Sequence, residues 1–129
     1  MMKGRAISAG LARGEALVSQ TPIGFYGGVD AKTGVVIEEG HELEGQCVAG
    51  KVLVFPHGKG STVGSYVIYG LAKNGVAPVA LVNGETETIV ATGAILADIP
   101  CVDGVDLGGI AAGDLLVVDA DEGTVKHER

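Results

Sequence analysis

At 129 residues the chain suffices for one domain, expected over residues 1–129, that buries roughly two-thirds of its unfolded surface. With 22 Gly, no Trp, 4% aromatics and abundant Val, Ala and Leu, the composition argues against disorder and suits a tightly turned α/β or β-rich globule. A net charge of −7, with nine scattered basic residues, argues against a nucleic-acid backbone as partner, because such binders cluster Lys and Arg to neutralise phosphates.

In chain order, the first strand is predicted at Lys3–Ile7. No sustained apolar segment accompanies Lys3 and Arg5 at the N-terminus, and none elsewhere approaches the ~20 residues needed to span a bilayer, so a cytoplasmic protein without a membrane partner is expected. Gly14–Val18, Gly50–Val54 and Gly113–Val117 share the pattern Gly-x-apolar-Leu-Val, each a turn glycine releasing a short β-rich run. Their irregular spacing excludes a solenoid. Between Thr21 and Gly34 runs a long turn-rich loop with Ile23, Phe25 and Tyr26, apolar enough to pack on a partner or shape a site. A strand at Val35–Glu38 follows.

Cys47 and Cys101 form no Cys-x-x-Cys pair and have apolar or small neighbours, so buried free thiols are expected. Two cysteines do not complete an iron–sulfur site. Lys51–Phe55 is the next predicted strand, followed by a glycine-rich turn and a helix over Ser61–Lys73 with Val63, Val67, Ile68 and Leu71 on one face. Asn74-Gly75 stops that helix and Pro78 lies beyond, so the strand Val79–Val82 completes a βαβ unit. A second helix, about Glu85–Ala97, carries Gly93 at a cost of ~1 kcal/mol relative to Ala. A last strand at Thr124–His127 follows the turn Asp119–Gly123.

The junction Phe55-Pro56-His57-Gly58-Lys59-Gly60-Ser61-Thr62-Val63-Gly64-Ser65 is where chemistry is expected. A strand that enters a glycine-rich turn and then a helix lets backbone amides approach an anion, and Ser61 stands at the helix N-cap. The plain alternative is that Ser61 only caps the helix. Neither a Walker loop nor a nucleophile elbow fits, since Gly-x-x-x-x-Gly-Lys-Ser/Thr and Gly-x-Ser-x-Gly are both absent.

Taken together, Phe25-Tyr26-Gly27-Gly28-Val29-Asp30-x-x-Thr33-Gly34, Gly50-Lys51-Val52-Leu53-Val54 and Pro56-x-Gly58-x-Gly60-Ser61-x-x-Gly64-Ser65 resemble the small, swivel-domain subunit of the aconitase X group, over nearly the whole chain. The fold expected is α/β: a single swivelling β/β/α domain with a β-sandwich or barrel-like core and a βαβ unit. The resemblance implies one half of a two-subunit hydro-lyase. In the archaeal members the implied reaction is loss of water from (R)-5-phosphomevalonate, giving trans-anhydromevalonate 5-phosphate in a modified mevalonate route to isoprenoids. It also implies that Ser61 takes the proton alpha to a carboxylate, that a large aconitase X-like subunit is the partner, and that a [4Fe-4S] cluster on that subunit, none on this chain, helps the hydroxyl leave.

Gly58, Lys59, Gly60, Thr62 and Ser65 are the accompanying candidates for binding a small phosphorylated hydroxy acid. Many relatives carry Arg where Lys59 stands, so a bidentate clamp is lost here. His57 reads as an exposed histidine and Asp30 as a brace for the Gly27-Gly28 loop. Another hydroxy acid is an alternative substrate. The C-terminal half also resembles the phosphohistidine domain of phosphoenolpyruvate-utilising enzymes, but Thr88 and Ile89 stand where its histidine would lie, so only the fold analogy holds. A non-catalytic adaptor, with the Phe25-Tyr26 loop as its binding edge, is the remaining rival.

Overall fold

Apolar runs too short for a helix, separated by glycine turns, give eight strands in the computed structural model, which describes residues 1–128. They are β1 (Met2–Lys3), β2 (Arg5–Ser8), β3 (Leu11–Val18), β4 (Val52–Phe55), β5 (Ala80–Asn83), β6 (Cys101–Asp103), β7 (Leu115–Asp119) and β8 (Thr124–His127). One sheet holds them in the order β1-β8-β7-β3-β4-β5-β6-β2. β3 through β6 run parallel to their successive neighbours, and the other pairs are antiparallel.

The first strand expected at Lys3–Ile7 is divided at Gly4. Its halves β1 and β2 lie at opposite ends of the sheet, so the sheet curls into a nearly closed barrel. Gly4 is obligatory at this seam: a Cβ there would lie 2.1 Å from the Asp103 carbonyl oxygen.

β4 and β5 are buried on both faces, as parallel strands covered on each side must be. Val52, Val54, Ala80 and Val82 point to one core with Leu116, Val118 and Val125, while Leu53, Phe55 and Leu81 point to the other with Ile68, Leu71 and Val90. The second core lies under two helices, α2 (Gly64–Lys73) and α3 (Thr88–Ala97), preceded in the chain by α1 (Phe25–Gly28), a single turn broken at Tyr26 and Gly27. Burying Ile68 or Leu71 contributes about 1.5–3 kcal/mol each.

Two βαβ units result, β4-α2-β5 as expected and β5-α3-β6, whose last strand carries no clear sequence signal. Val35–Glu38 forms only isolated bridges, because the Ile37 and Glu38 amides donate to the Gly28 carbonyl instead of to a strand. Of the four apolar residues expected on the α2 core face, Ile68 and Leu71 are buried, Val67 is half-buried and Val63 is exposed. Gly93 has a tertiary purpose: a Cβ there would meet Ile68 Cδ1 at 2.7 Å, so its absence lets α2 and α3 approach closely.

One charged group is locked into the barrel seam. Asp103, buried, accepts from Arg5 Nε (3.0 Å), Arg5 Nη2 (2.8 Å) and the Thr86 amide (2.8 Å). The Arg5 hydrogen bond is the main reason its carboxyl ionises below the ordinary range. A depressed carboxylate stabilises the fold at pH values above the unfolded pKa, about 3.9, and that contribution disappears as pH falls through the lower folded value. The Tm of the native chain should therefore fall more steeply between neutral pH and acid than that of Asp103→Asn, and parallel curves would remove this role.

Candidate active site

β4 delivers the glycine-rich turn to the carboxyl end of the parallel strands. Its exit is fixed twice: Asn83 Nδ2 donates to the Phe55 carbonyl at 3.0 Å, and the Gly84 and Glu85 amides both donate to the Pro56 carbonyl at 3.1 Å. The loop before α1 zips onto the turn as a short parallel bridge, Ile23 N–H to the His57 carbonyl (3.2 Å) and Lys59 N–H to the Ile23 carbonyl (3.1 Å). Upstream, Glu42 accepts from the Gln20 and Thr21 amides and from the Thr21 hydroxyl, while His41 Nε2 donates to the Pro22 carbonyl. These bonds explain why the long loop carries apolar residues: Ile23 and Phe25 are core, with Phe25 edge-on to Phe55 at a centroid distance of 5.9 Å.

Gly60 sits at φ +85, where a left-handed residue reverses the chain. Ser61 follows, exposed, with its Oγ accepting the Val63 amide at 3.1 Å. The α-helix starts later than Ser61. Gly64 N–H bonds to the Ser61 carbonyl (2.9 Å) and Ser65 N–H to the Thr62 carbonyl (3.2 Å), so residues 61–65 make a tight 3₁₀-type turn and α2 proper begins at Gly64 with Val63 as its N-cap. Ser61 thus caps the preceding turn rather than α2 itself. Among the described residues, the amides of Gly60, Ser61 and Thr62 have no acceptor. Three free donors at a helix mouth favour an anion there.

The other candidates separate into exposed and buried groups. Lys59, Gly60 and Thr62 are exposed beside Ser61, and Lys59 Nζ pairs with Glu38 Oε2 at 3.3 Å. Gly58 and Ser65 are buried. A Cβ on Gly58 would lie 2.4 Å from Glu87 Oε1, so its place is taken by the cap of α3, where Glu87 accepts from the Ile89 and Val90 amides at 2.8 Å each. Ser65 Oγ donates to the Thr62 carbonyl at 2.9 Å, leaving it only lone pairs to offer a ligand. His57 is exposed, as expected, and its Nδ1–H donates to the Gly58 carbonyl at 2.7 Å. Asp30 braces its own turn through the Lys32 amide (2.9 Å) and not the Gly27-Gly28 loop, which the Ile37 and Glu38 amides hold. Glu38, Glu87 and Asn83 carried no sequence signal, since each acts on the turn from a distant segment.

The two thiols lie in different environments. Cys101 is buried, with its thiol pushed up to about 12 by desolvation, whereas Cys47 is exposed on a loop, contrary to expectation, because Val36 and Val48 rather than Cys47 fill the core there. Among the described residues no group of three or more His, Cys, Asp or Glu converges on a metal-sized site. In the native protein an alkylating reagent should modify Cys47 alone and reach Cys101 only after denaturation; native labelling of both would contradict this burial.

Surface cavities of about 570, 310 and 330 Å³ lie elsewhere, lined by parts of β1, β3, β7 and β8 or by Ser19, Pro56 and Leu107, and residues 57–65 line none of them. Lys59, Gly60, Ser61 and Thr62 are all exposed, so the Ser61 turn lies on an open face. Among the described residues no helix is long and apolar enough to cross a membrane.

The phosphomevalonate dehydratase small subunit of Thermococcus onnurineus is 58% identical over 127 residues, covering 98% of each chain. That of Methanosarcina acetivorans is 56% identical over 128 residues, 97% of this chain and 89% of that one. The crystal structure of Thermococcus kodakaraensis aconitase X in its holo form superposes with a TM-score of 0.97 at 56% identity, over 99% of this chain and 98% of that one. The family model for the aconitase X swivel domain matches residues 1–127, and the chain belongs to that family.

Proposed function

We propose that this chain is the small subunit of a two-subunit dehydratase that removes water from (R)-5-phosphomevalonate to give trans-anhydromevalonate 5-phosphate, with Ser61 as proton acceptor. The carrying observation is the exposed Ser61 Oγ, already the acceptor of the Val63 amide, on a turn with three unused amides. The relatives bearing the phosphomevalonate dehydratase name support this substrate.

In the reaction, Ser61 as alkoxide takes a proton from the carbon alpha to the substrate carboxylate. The electron pair of that C–H bond becomes the new C=C bond, and hydroxide departs from the neighbouring carbon. The Val63 N–H stabilises the alkoxide directly. The free amides of residues 60–62 and Lys59 suit a carboxylate or phosphate oxygen, with Thr62 as an additional hydroxyl donor; Gly58 and Ser65 shape the turn from below.

These groups are insufficient alone. Serine is a very weak acid, and each unit of pKa lowering requires about 1.36 kcal/mol, whereas a helix N-terminus contributes only ~0.3–2 kcal/mol. A dry, closed environment with a further cation must come from a second surface. On this proposal the large aconitase X-like subunit provides it, together with a [4Fe-4S] group. Copurifying both subunits and following loss of water from 5-phosphomevalonate tests the assignment. An active pair inert toward that substrate but active on another hydroxy acid would overturn the substrate and keep the reaction class.

A further inference from the structure

The chain holds three tyrosines and two phenylalanines, and their fates divide completely. Phe25 and Phe55 are 1% and 0% exposed, whereas Tyr26, Tyr66 and Tyr69 are 62%, 68% and 39% exposed. Tyr66 and Tyr69 share one helix. Val63, Tyr66, Gly70 and Lys73 follow one another at helical spacing on the outer face of α2, Tyr69 lies beside them with Lys73 Nζ 5.8 Å from its ring centre, and Val63 is itself 44% exposed. Tyr26 belongs to a different element, α1, whose backbone packs at the buried start of α2, where a Cβ on Gly64 would lie 3.6 Å from the Tyr26 amide nitrogen.

We infer that this tyrosine strip is the seat of the large subunit, with Tyr66 as its anchor. The inference rests on the functional reading above and adds the location of the interface. Two arguments select the occupant. On the functional reading Ser61 needs a cover that excludes water, and the strip is continuous with it: Val63, whose amide donates to Ser61 Oγ, is exposed, and Tyr66 follows Val63 at helical spacing. Tyrosine is also the residue that serves such a face best: it offers a large apolar ring for burial in the complex and a hydroxyl that keeps the separate subunit hydrated. A second apolar patch, Ile95 and Leu96 on α3, lies on a different helix and supplies the control.

The test measures the dissociation constant between this chain and the large subunit of the same organism for the native chain, Tyr66→Ala, Tyr66→Glu and Ile95→Glu, with a melting curve for each. The expected result is affinity about tenfold or more weaker for Tyr66→Ala and weaker still for Tyr66→Glu, with Ile95→Glu and all melting temperatures close to native. Native affinity in both Tyr66 variants, or loss of affinity with Ile95→Glu alone, would overturn the placement while leaving the two-subunit function intact. A dimer of this chain abolished by Tyr66→Glu with large-subunit affinity unchanged would assign the face to a second copy and also overturn it. Failure of the native chain to pair at all would instead defeat the functional reading beneath it.

Discussion

In the assembled two-subunit enzyme, Ser61→Ala is expected to lower turnover by about 10²–10⁴-fold, the usual contribution of a positioned proton acceptor. Binding to the large subunit should be retained. The hydroxyl makes one bond to the fold, from the Val63 amide, so the stability cost is that of a lost cap, about 0.5–2 kcal/mol, and a modest fall in Tm. A residue that only capped the turn would show the same Tm change with turnover near native, and the two measurements together separate the roles.

Gly58→Ala is expected to damage both fold and activity. The new methyl would sit 2.4 Å from Glu87 Oε1 and 2.6 Å from Val90 Cγ2. Neither yields easily. The Glu87 carboxylate is tied to two amides at the mouth of α3, and Val90 is fully buried. Losing the cap costs about 0.5–2 kcal/mol and overpacking the core about 1–3 kcal/mol more. The turn carrying Ser61 would also be displaced, and misplacing a reacting group by about 1 Å can reduce rate roughly 100-fold. A variant with native melting temperature and native turnover would show that the contact between the turn and α3 is dispensable.

Much of the frame was legible because local and tertiary preferences coincide. Lys51–Phe55 and Val79–Val82 read as strands, one residue earlier at the start than the observed Val52–Phe55 and Ala80–Asn83, because these strands are buried on both faces and nearly all apolar. β8 was read to its ends, bounded by a glycine turn before it. The Ser61 turn announced itself because glycines at close spacing before a serine have a conformational reason, which Gly60 at positive φ confirms.

What escaped depends on partners far away in the chain. β6 is three residues between Pro100 and Gly104, and it is a strand only because β5 and β2 flank it. The Val35–Glu38 segment has strand composition, but its amides find loop carbonyls first. Gly93 looked like a defect in α3 and is instead the point where Ile68 enters. The ion pair between Lys59 and Glu38 joins two loops 21 residues apart with no motif connecting them. The barrel-like core follows from the family resemblance, but the place where it closes is hidden in the sequence, because one short N-terminal strand splits across the two edges of the sheet.

The most direct measurement is a competition. With a fixed amount of large subunit and 5-phosphomevalonate as substrate, native chain is titrated to saturation and then displaced by rising amounts of the Ser61→Ala chain. A site shared between two proteins, with its proton acceptor on this one, predicts no turnover from either subunit alone, a plateau at equal amounts, and a decline that follows the share of the Ala chain. Turnover by the large subunit alone, or a plateau that survives full replacement by the Ala chain, would contradict it.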